Sequence, residues 1–249
     1  MADAVFVDCT ASKETGLRYK ELLEAGYNIV SCNKIPFSGS LENYLELQKA
    51  AARCGCFLRF ETTAGAALPL LETAERIRLS GDRLIRLQAI LSGTLAYLCD
   101  RYDGAGFDSL LSDARAKGYT EPDPATDLSG TDVARKLLII ARKAGIPLRE
   151  EDVRTEPFPD GTELEEFYRH ARSEGKSLRY LAVLEQAGDC WTARASLQAV
   201  GPESPLYHLH GTDNCAVFTT ADYPAGLVIR GAGAGARQTA GGVLFDIIS

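Results

Sequence analysis

Hydrophobic and polar positions follow two rhythms along this chain, and the first is short. Residues 4–8, AVFVD, form an apolar run that predicts a buried strand. Cys9-Thr10-Ala11-Ser12 reads as a polar turn. Residues 13–25 predict a helix that buries Leu17, Leu22 and Leu23 and closes at Gly26. Residues 27–32, YNIVSC, predict a second strand ending at Asn33-Lys34. Ser40 is placed to cap a helix with Leu41, Tyr44, Leu45 and Ala52 on one face, interrupted at Gln48 and closed by Gly55. Residues 56–61, CFLRFE, predict a third strand. Strands and helices alternating at this spacing imply βαβ units and a parallel sheet.

Past Pro69 the rhythm lengthens. PLLETAERIRLS predicts a helix, Ser80-Gly81-Asp82 a turn, and residues 83–91, RLIRLQAIL, a strand. Ser92-Gly93-Thr94 then opens a helix, LAYLCDRYD. Such a junction presents free backbone N–H groups and a positive helix end that suit an anion, although helix capping alone explains it equally well. A loop with Gly104 and Gly106 and a helix near 108–117 follow. Residues 149–162 read as a polar connection and 163–174 as a helix stopped by Gly175. SLRYLAVLE, CWTARASLQAV, CAVFTTADY and GLVIRG predict four strands of a mostly antiparallel unit, suited to packing on the middle of the chain or to dimer formation. A Gly/Ala-rich run, 230–242, leads into a final helix, TAGGVLFDIIS.

The stretch Gly118–Arg142, GYTEPDPATDLSGTDVARKLLIIAR, concentrates the candidate chemistry. Glu121, Asp123 and Asp127 lie in a loop stiffened by Pro122 and Pro124. Ser129 stands where an N-cap is expected, with Asp132 as its capping-box partner. Val133, Leu137, Ile140, Ala141 and Ala144 form an apolar face. Asp132 and Lys136 are four residues apart and share another face. From pattern alone, a capped surface helix with an ordinary ion pair fits as well as a site does. Ligands of open parallel sheets bind beyond the carboxyl ends of the strands. Three polar turns fall there: Thr10 to Ser12, Asn33-Lys34, and Glu61 to Gly65.

Composition narrows the function classes. A net charge of −7 over 249 residues argues against nucleic acid or an anionic membrane as partner. No apolar run reaches the ~18 residues of a transmembrane helix, and no signal peptide opens the chain. Seven cysteines, an odd number without a secreted scaffold's spacing, point to reduced thiols and a cytoplasmic protein. Cys54 and Cys56 have no second pair at zinc spacing, and His208 and His210 have no third ligand nearby, so a transition metal is not expected. No G-x-G-x-x-G follows the early strands. The parallel sheet therefore reads as half of a dinucleotide-binding domain, and a strand at residue 4 needs a neighbour. The expectation is a fragment, or a missing half supplied from elsewhere.

VDCTAS, IVSCNK, ETTAGAALP, ILSGTLAY, GYTEPDPATDLSGTDVARKLLIIAR, GKSLRY and VIRGAGAGARQTAGGVLFD occur in this order, and with them the chain resembles homoserine dehydrogenase over nearly its whole length. The resemblance implies an α/β fold, a partial Rossmann-like parallel sheet plus an α+β substrate-binding and dimerisation domain. It places the second half of the dinucleotide-binding domain at 1–62, the catalytic, substrate-binding and dimerisation domain at 63–228, and a Gly-rich turn and returning helix at 229–249. It implies NADP- or NAD-dependent interconversion of L-homoserine and L-aspartate 4-semialdehyde, serving threonine, methionine and isoleucine synthesis, by a homodimer or higher oligomer. Lys136 matches the family's catalytic lysine, Asp132 its partner, and Lys34 a lysine at the cofactor–substrate junction. Glu121, Asp127 and Asp132 match substrate-binding acids. Thr10, Lys34, Gly118 and Gly235 match cofactor contacts. The Glu61 side chain and the carbonyls of Ala64, Ala66 and Leu68 match a monovalent-cation site, for Na+ or K+. Three features depart from the family. The amino-terminal Gly-rich loop is missing. The cation turn reads TAGAALP instead of TVGAGLP, so alanine at 67 restricts φ. The connection at 155–175 is short.

The residues agree with that chemistry. Oxidising an alcohol sends a hydride to nicotinamide and leaves the protein a proton to handle. An amine handles it if desolvation or a neighbouring cation tunes it toward the operating pH, and Arg135 is adjacent in sequence to Lys136. No cysteine or serine nucleophile with an evident histidine base competes. The alternative is a substrate-binding and dimerisation module without turnover.

Overall fold

The computed structural model describes residues 4–249 and contains two sheets. The first is parallel, in the order β1 (Val5–Asp8), β2 (Asn28–Ser31), β3 (Leu58–Arg59). Val5 lies opposite Asn28, and Ile29 opposite Leu58. Helices α1 (Lys13–Leu17) and α2 (Tyr19–Glu24) connect β1 to β2; α3 (Ile35–Ser38) and α4 (Leu41–Cys54) connect β2 to β3. This is the expected βαβ pattern with shorter pieces. The helix expected over 13–25 breaks at Arg18, and Gly16 lies against Pro36 of α3, where a β-carbon would come within 2.6 Å. The break leaves Leu17 67% exposed and turns Tyr19 inward instead. In α4, capped by Ser40 as expected, the inward stripe runs through Leu41, Tyr44, Leu47 and Ala51; Leu45 and Ala52 face out. β3 is only two residues long because Phe60 turns in to stack on Phe37 and the chain enters a 3₁₀ turn, Glu61–Thr63.

The second sheet has six strands: β4 (Leu84–Ile90), β5 (Val153–Thr155), β6 (Ser177–Ala187), β7 (Cys190–Val200), β8 (Asp213–Thr220) and β9 (Leu227–Ala232). They lie in the order β5-β7-β6-β4-β8-β9, all antiparallel except β5 on β7. The helices of this part are α5 (Leu70–Leu79), α6 (Gly93–Arg101), α7 (Phe107–Ala116), α8 (Pro124–Leu128), α9 (Thr131–Lys143) and α10 (Gly161–Ser173). Helix α11 (Ala236–Ile248) returns to the first sheet and packs on β2 and the 3₁₀ turn. Strand β9 runs through residue 229, so it joins the Gly-rich turn directly to the six-stranded sheet. Three elements lie where the sequence pattern predicts none: α3 between Lys34 and Ser40, α8 inside the acidic stretch, started by Pro124, and β5 inside the polar connection.

Helix α9 is the centre of the packing. Val133, Leu137, Leu138, Ile139, Ile140 and Ala141 are buried, and the helix lies on β5, β6 and β7. Its N-cap is Gly130, not Ser129. Gly130 adopts φ +71°, and a β-carbon there would collide with the Tyr180 hydroxyl. Ser129 ends α8, although its hydroxyl still accepts from the Thr131 amide at 3.2 Å. No capping box forms around Asp132. Near its other end α9 carries Arg142, 4% exposed, which donates to Phe37 O at 2.7 Å and to Leu148 O at 3.0 Å. That side chain fastens the second unit to the first, since Phe37 belongs to α3.

Candidate active site

The carboxyl ends of β1 and β2 rest on a buried polar network. Asp8 accepts from the Tyr19 hydroxyl at 2.6 Å, Asn33 Nδ2 at 3.0 Å and the Thr10 amide at 2.8 Å. Tyr19 also meets Ser31 Oγ at 2.6 Å. Burial alone would raise the Asp8 carboxyl, but these donors outweigh it and hold it below its ordinary range. The network fixes both turns, so Thr10 stays exposed and Lys34 leaves β2 in a set direction.

Lys34 reaches across to α9. Its Nζ lies 2.9 Å from Asp132 Oδ1, and Lys136 Nζ lies 2.8 Å from Asp132 Oδ2. The expected i, i+4 pair therefore exists with a second cation added. That cation is Lys34; Arg135 is exposed and faces β5. The Lys136 side chain is only 14% exposed and donates to Leu91 O at 2.7 Å. Burial would raise the Asp132 carboxyl, yet the two ammonium groups override it and hold it far below the ordinary carboxylate range.

Leu91 connects this triad to the acidic loop. Three residues on, the single proton of Thr94 Oγ1 is shared between Tyr119 O at 2.5 Å and Asp127 Oδ1 at 3.0 Å. Asp127 Oδ2 accepts from the Glu121 amide at 2.8 Å. Asp127 thus closes the loop onto the start of α6, capped as expected by Ser92. The exposed Glu121 carboxylate has no partner among the described residues. Within Ser92-Gly93-Thr94, Ser92 caps α6 and Thr94 anchors the loop. Gly118 takes φ +71° at the end of α7, where its amide donates to Arg115 O. Gly235 takes φ +125° at the start of α11.

In the Glu61 turn the carboxylate has backbone partners of its own. Both Glu61 carboxylate oxygens accept amides at 2.7 Å, from Leu71 and Glu72. They cap α5, whose N-cap residue, Pro69, makes no side-chain cap. Burial pushes Glu61 up to about 7 despite those donors, with Asp246 and Glu72 adding to the rise. Positive φ falls at Ala66, +55°, and not at Ala67, so the alanine at 67 is unstrained. The Leu68 carbonyl accepts from the Leu70 amide at 2.7 Å. His210 pairs with Asp100 at 2.8 Å. Among the described residues no three His, Cys, Asp or Glu side chains gather as a metal site.

Three side chains of this region escaped the sequence. Tyr19 lies inside the helix predicted over 13–25 with nothing in the pattern to mark its hydroxyl, and Thr94 reads as an ordinary capping-turn residue. Asn214 is 1% exposed with both side-chain polar atoms unpartnered. It points to the helical face of the sheet with Ala216 and Phe218, and Gly233 of the Gly-rich turn presses on it. Only a polar residue inside an otherwise apolar strand, N-C-A-V-F, signalled it.

The family model for homoserine dehydrogenase matches residues 69–248. A bifunctional chloroplastic aspartokinase/homoserine dehydrogenase of Arabidopsis thaliana is 37% identical over 99% of this chain, which spans 29% of that relative's length. Homoserine dehydrogenase of Schizosaccharomyces pombe is 34% identical over 98% of this chain and 72% of its own. A hyperthermophilic archaeal homoserine dehydrogenase in complex with NADPH superposes with a TM-score of 0.79 at 25% identity, covering 98% of this chain and 70% of that one. The fold of the two sheets and their helices is thus shared with known proteins, and the chain belongs to the homoserine dehydrogenase family.

Proposed function

We propose that this chain carries the catalytic centre of an oxidoreductase interconverting L-homoserine and L-aspartate 4-semialdehyde with NADP or NAD, in the synthesis of threonine, methionine and isoleucine. The observation that carries this reading is the Lys34–Asp132–Lys136 triad, with Lys136 nearly enclosed. When bound, the nicotinamide supplies the hydride acceptor. Lys136 handles the proton. An ammonium has three donors; Asp132 and Leu91 O engage two, and the third is left for the substrate oxygen. Neutral, the amine accepts the hydroxyl proton; charged, it returns it. Asp132 aims the amine, and Lys34 balances the charge. Glu121 binds the substrate ammonium, and Asp127 acts with it by holding the loop.

Thr10, Lys34, Gly118 and Gly235 are our candidates for contacts to the nicotinamide end. Exposed Thr10 and half-exposed Lys34 suit that end, and the unpartnered Asn214 amide beside the Gly-rich turn supplies an unused polar group. The neighbour solved with NADPH favours the phosphorylated cofactor. The β1–α1 turn offers a pyrophosphate no Gly-rich cradle: it ends at Ser12, already engaged by the Thr15 amide. A monovalent cation would use the Glu61 carboxylate and the carbonyls of Ala64, Ala66 and Leu68, hard oxygen donors. Homodimers in the cytoplasm complete the proposal; no described helix is long and apolar enough to cross a membrane.

Lys136→Ala is expected to lower kcat by roughly two to four orders of magnitude with folding intact. Near-normal turnover in that variant removes the reading. A second reading, a substrate-binding module without turnover, is favoured by the outer edge of β1, which pairs with no strand among the described residues. Titration of the chain with NADPH and with homoserine separates the two: homoserine binding without NADPH binding supports the module.

A further inference from the structure

Two thiols stand where the proposed site meets the parallel sheet. Cys9 follows β1 and Cys32 follows β2, one step beyond the Asp8–Ser31 register pair. The Cys32 amide donates to Asp8 O at 2.8 Å, which holds the two turns side by side. Their sulfurs lie 4.0 Å apart. Cys9 is exposed and Cys32 half-buried, with the Thr62 hydroxyl 3.2 Å from the Cys32 sulfur.

We propose that Cys9 and Cys32 form an oxidisable dithiol, and that closing their disulfide under a hydroperoxide switches the adjacent site off. The Cys9 thiolate attacks the peroxide, the O–O bond breaks, and the departing alkoxide or hydroxide takes up a proton. Cys9 is then a sulfenic acid. The Cys32 sulfur attacks the Cys9 sulfur, the S–O bond breaks, and water leaves with the Cys32 proton. In sum, one dithiol and one hydroperoxide give one disulfide, one water and one alcohol, or a second water from hydrogen peroxide. The order follows from access. Burial pushes the Cys32 thiol up and Thr62 lies against it, so it meets peroxide poorly and serves as the resolving partner. Closing 4.0 Å to a bond of about 2 Å needs rotation of both side chains and a small approach of the turns. Cys32 is two residues from Lys34, whose ammonium holds Asp132 at 2.9 Å. Drawing Cys32 toward Cys9 therefore displaces Lys34. The effect on turnover rests on the proposed function; the disulfide does not.

The purified chain is treated with hydrogen peroxide, free thiols are alkylated, and peptides are mapped by mass. The expected product is one peptide joining Cys9 to Cys32, lighter by two hydrogens, reversed by dithiothreitol and absent from Cys9→Ser and Cys32→Ser. Sulfinic acid at Cys9 with Cys32 still alkylated, or a link to any other cysteine, overturns the dithiol. Turnover is expected to fall at least tenfold on oxidation and to return on reduction; unchanged turnover with the link formed overturns the switch. A chain inactive before oxidation removes the functional reading, and the peptide map then decides the dithiol alone.

Discussion

At the scale of the residue, Asp132 is shared. One oxygen faces a lysine from its own helix and the other a lysine from the turn between β2 and α3. The first contact was legible, because positions four apart on a helix meet by geometry. The second was not, because it depends on how α3 and α9 dock. Sequence proximity pointed to Arg135, but helical geometry puts neighbours in sequence on different faces. Thr94 makes the same point: it reads as part of a capping turn and acts as the clasp of the acidic loop. Thr94→Val removes the hydroxyl donor to Asp127 and Tyr119 O. We expect KM for the amino-acid substrate to rise several-fold while kcat changes less, since Lys136 and its partners are untouched. Equal losses in kcat and kcat/KM would place Thr94 in the chemical step instead.

Elements show why helices were easier to find than their ends. The apolar face of α9 was complete in the sequence, whereas its cap was set by Tyr180, a residue of another strand. Helix α8 and strand β5 are too short for any period to appear. Helix α5 is capped from outside by Glu61, and this has a pH consequence. With no cation bound, the folded chain keeps a proton on Glu61 up to about pH 7, while an ordinary glutamate releases it near 4.5. Between those values the folded state binds the extra proton, so stability declines as pH rises through the window and levels off above it. Asp246, also raised by burial, acts in the same direction. Glu61→Gln should flatten the fall in Tm across this window, measured by thermal unfolding at a series of pH values. An unchanged slope would mean that Glu61 is ionised throughout.

For the whole molecule, alternating strands and helices followed by antiparallel strands were enough to foresee one parallel sheet and one mixed unit. What the pattern did not contain was the fastening between them. Arg142 is one more cation at the end of an amphipathic helix until Phe37 O and Leu148 O are seen beneath it. Arg142→Met keeps most of the packing but leaves two buried carbonyls without donors, at roughly 1–3 kcal/mol each. We expect a lower Tm and a lower kcat although no site residue is altered. A fall in Tm with kcat preserved would show that the fastening stabilises the chain without aligning Lys34.

The bond between Lys34 and Asp132 also sets a time in the life of the chain. Local turns and helices close in microseconds, whereas contacts between distant segments wait for both parts to be built. Lys136 has its aspartate as soon as α9 winds, but Lys34 arrives only when the two sheets meet. A newly made chain therefore passes through a stage with its helices formed and its chemistry silent. In refolding experiments, helical signal should recover first, and turnover should return only with the docking of the two sheets.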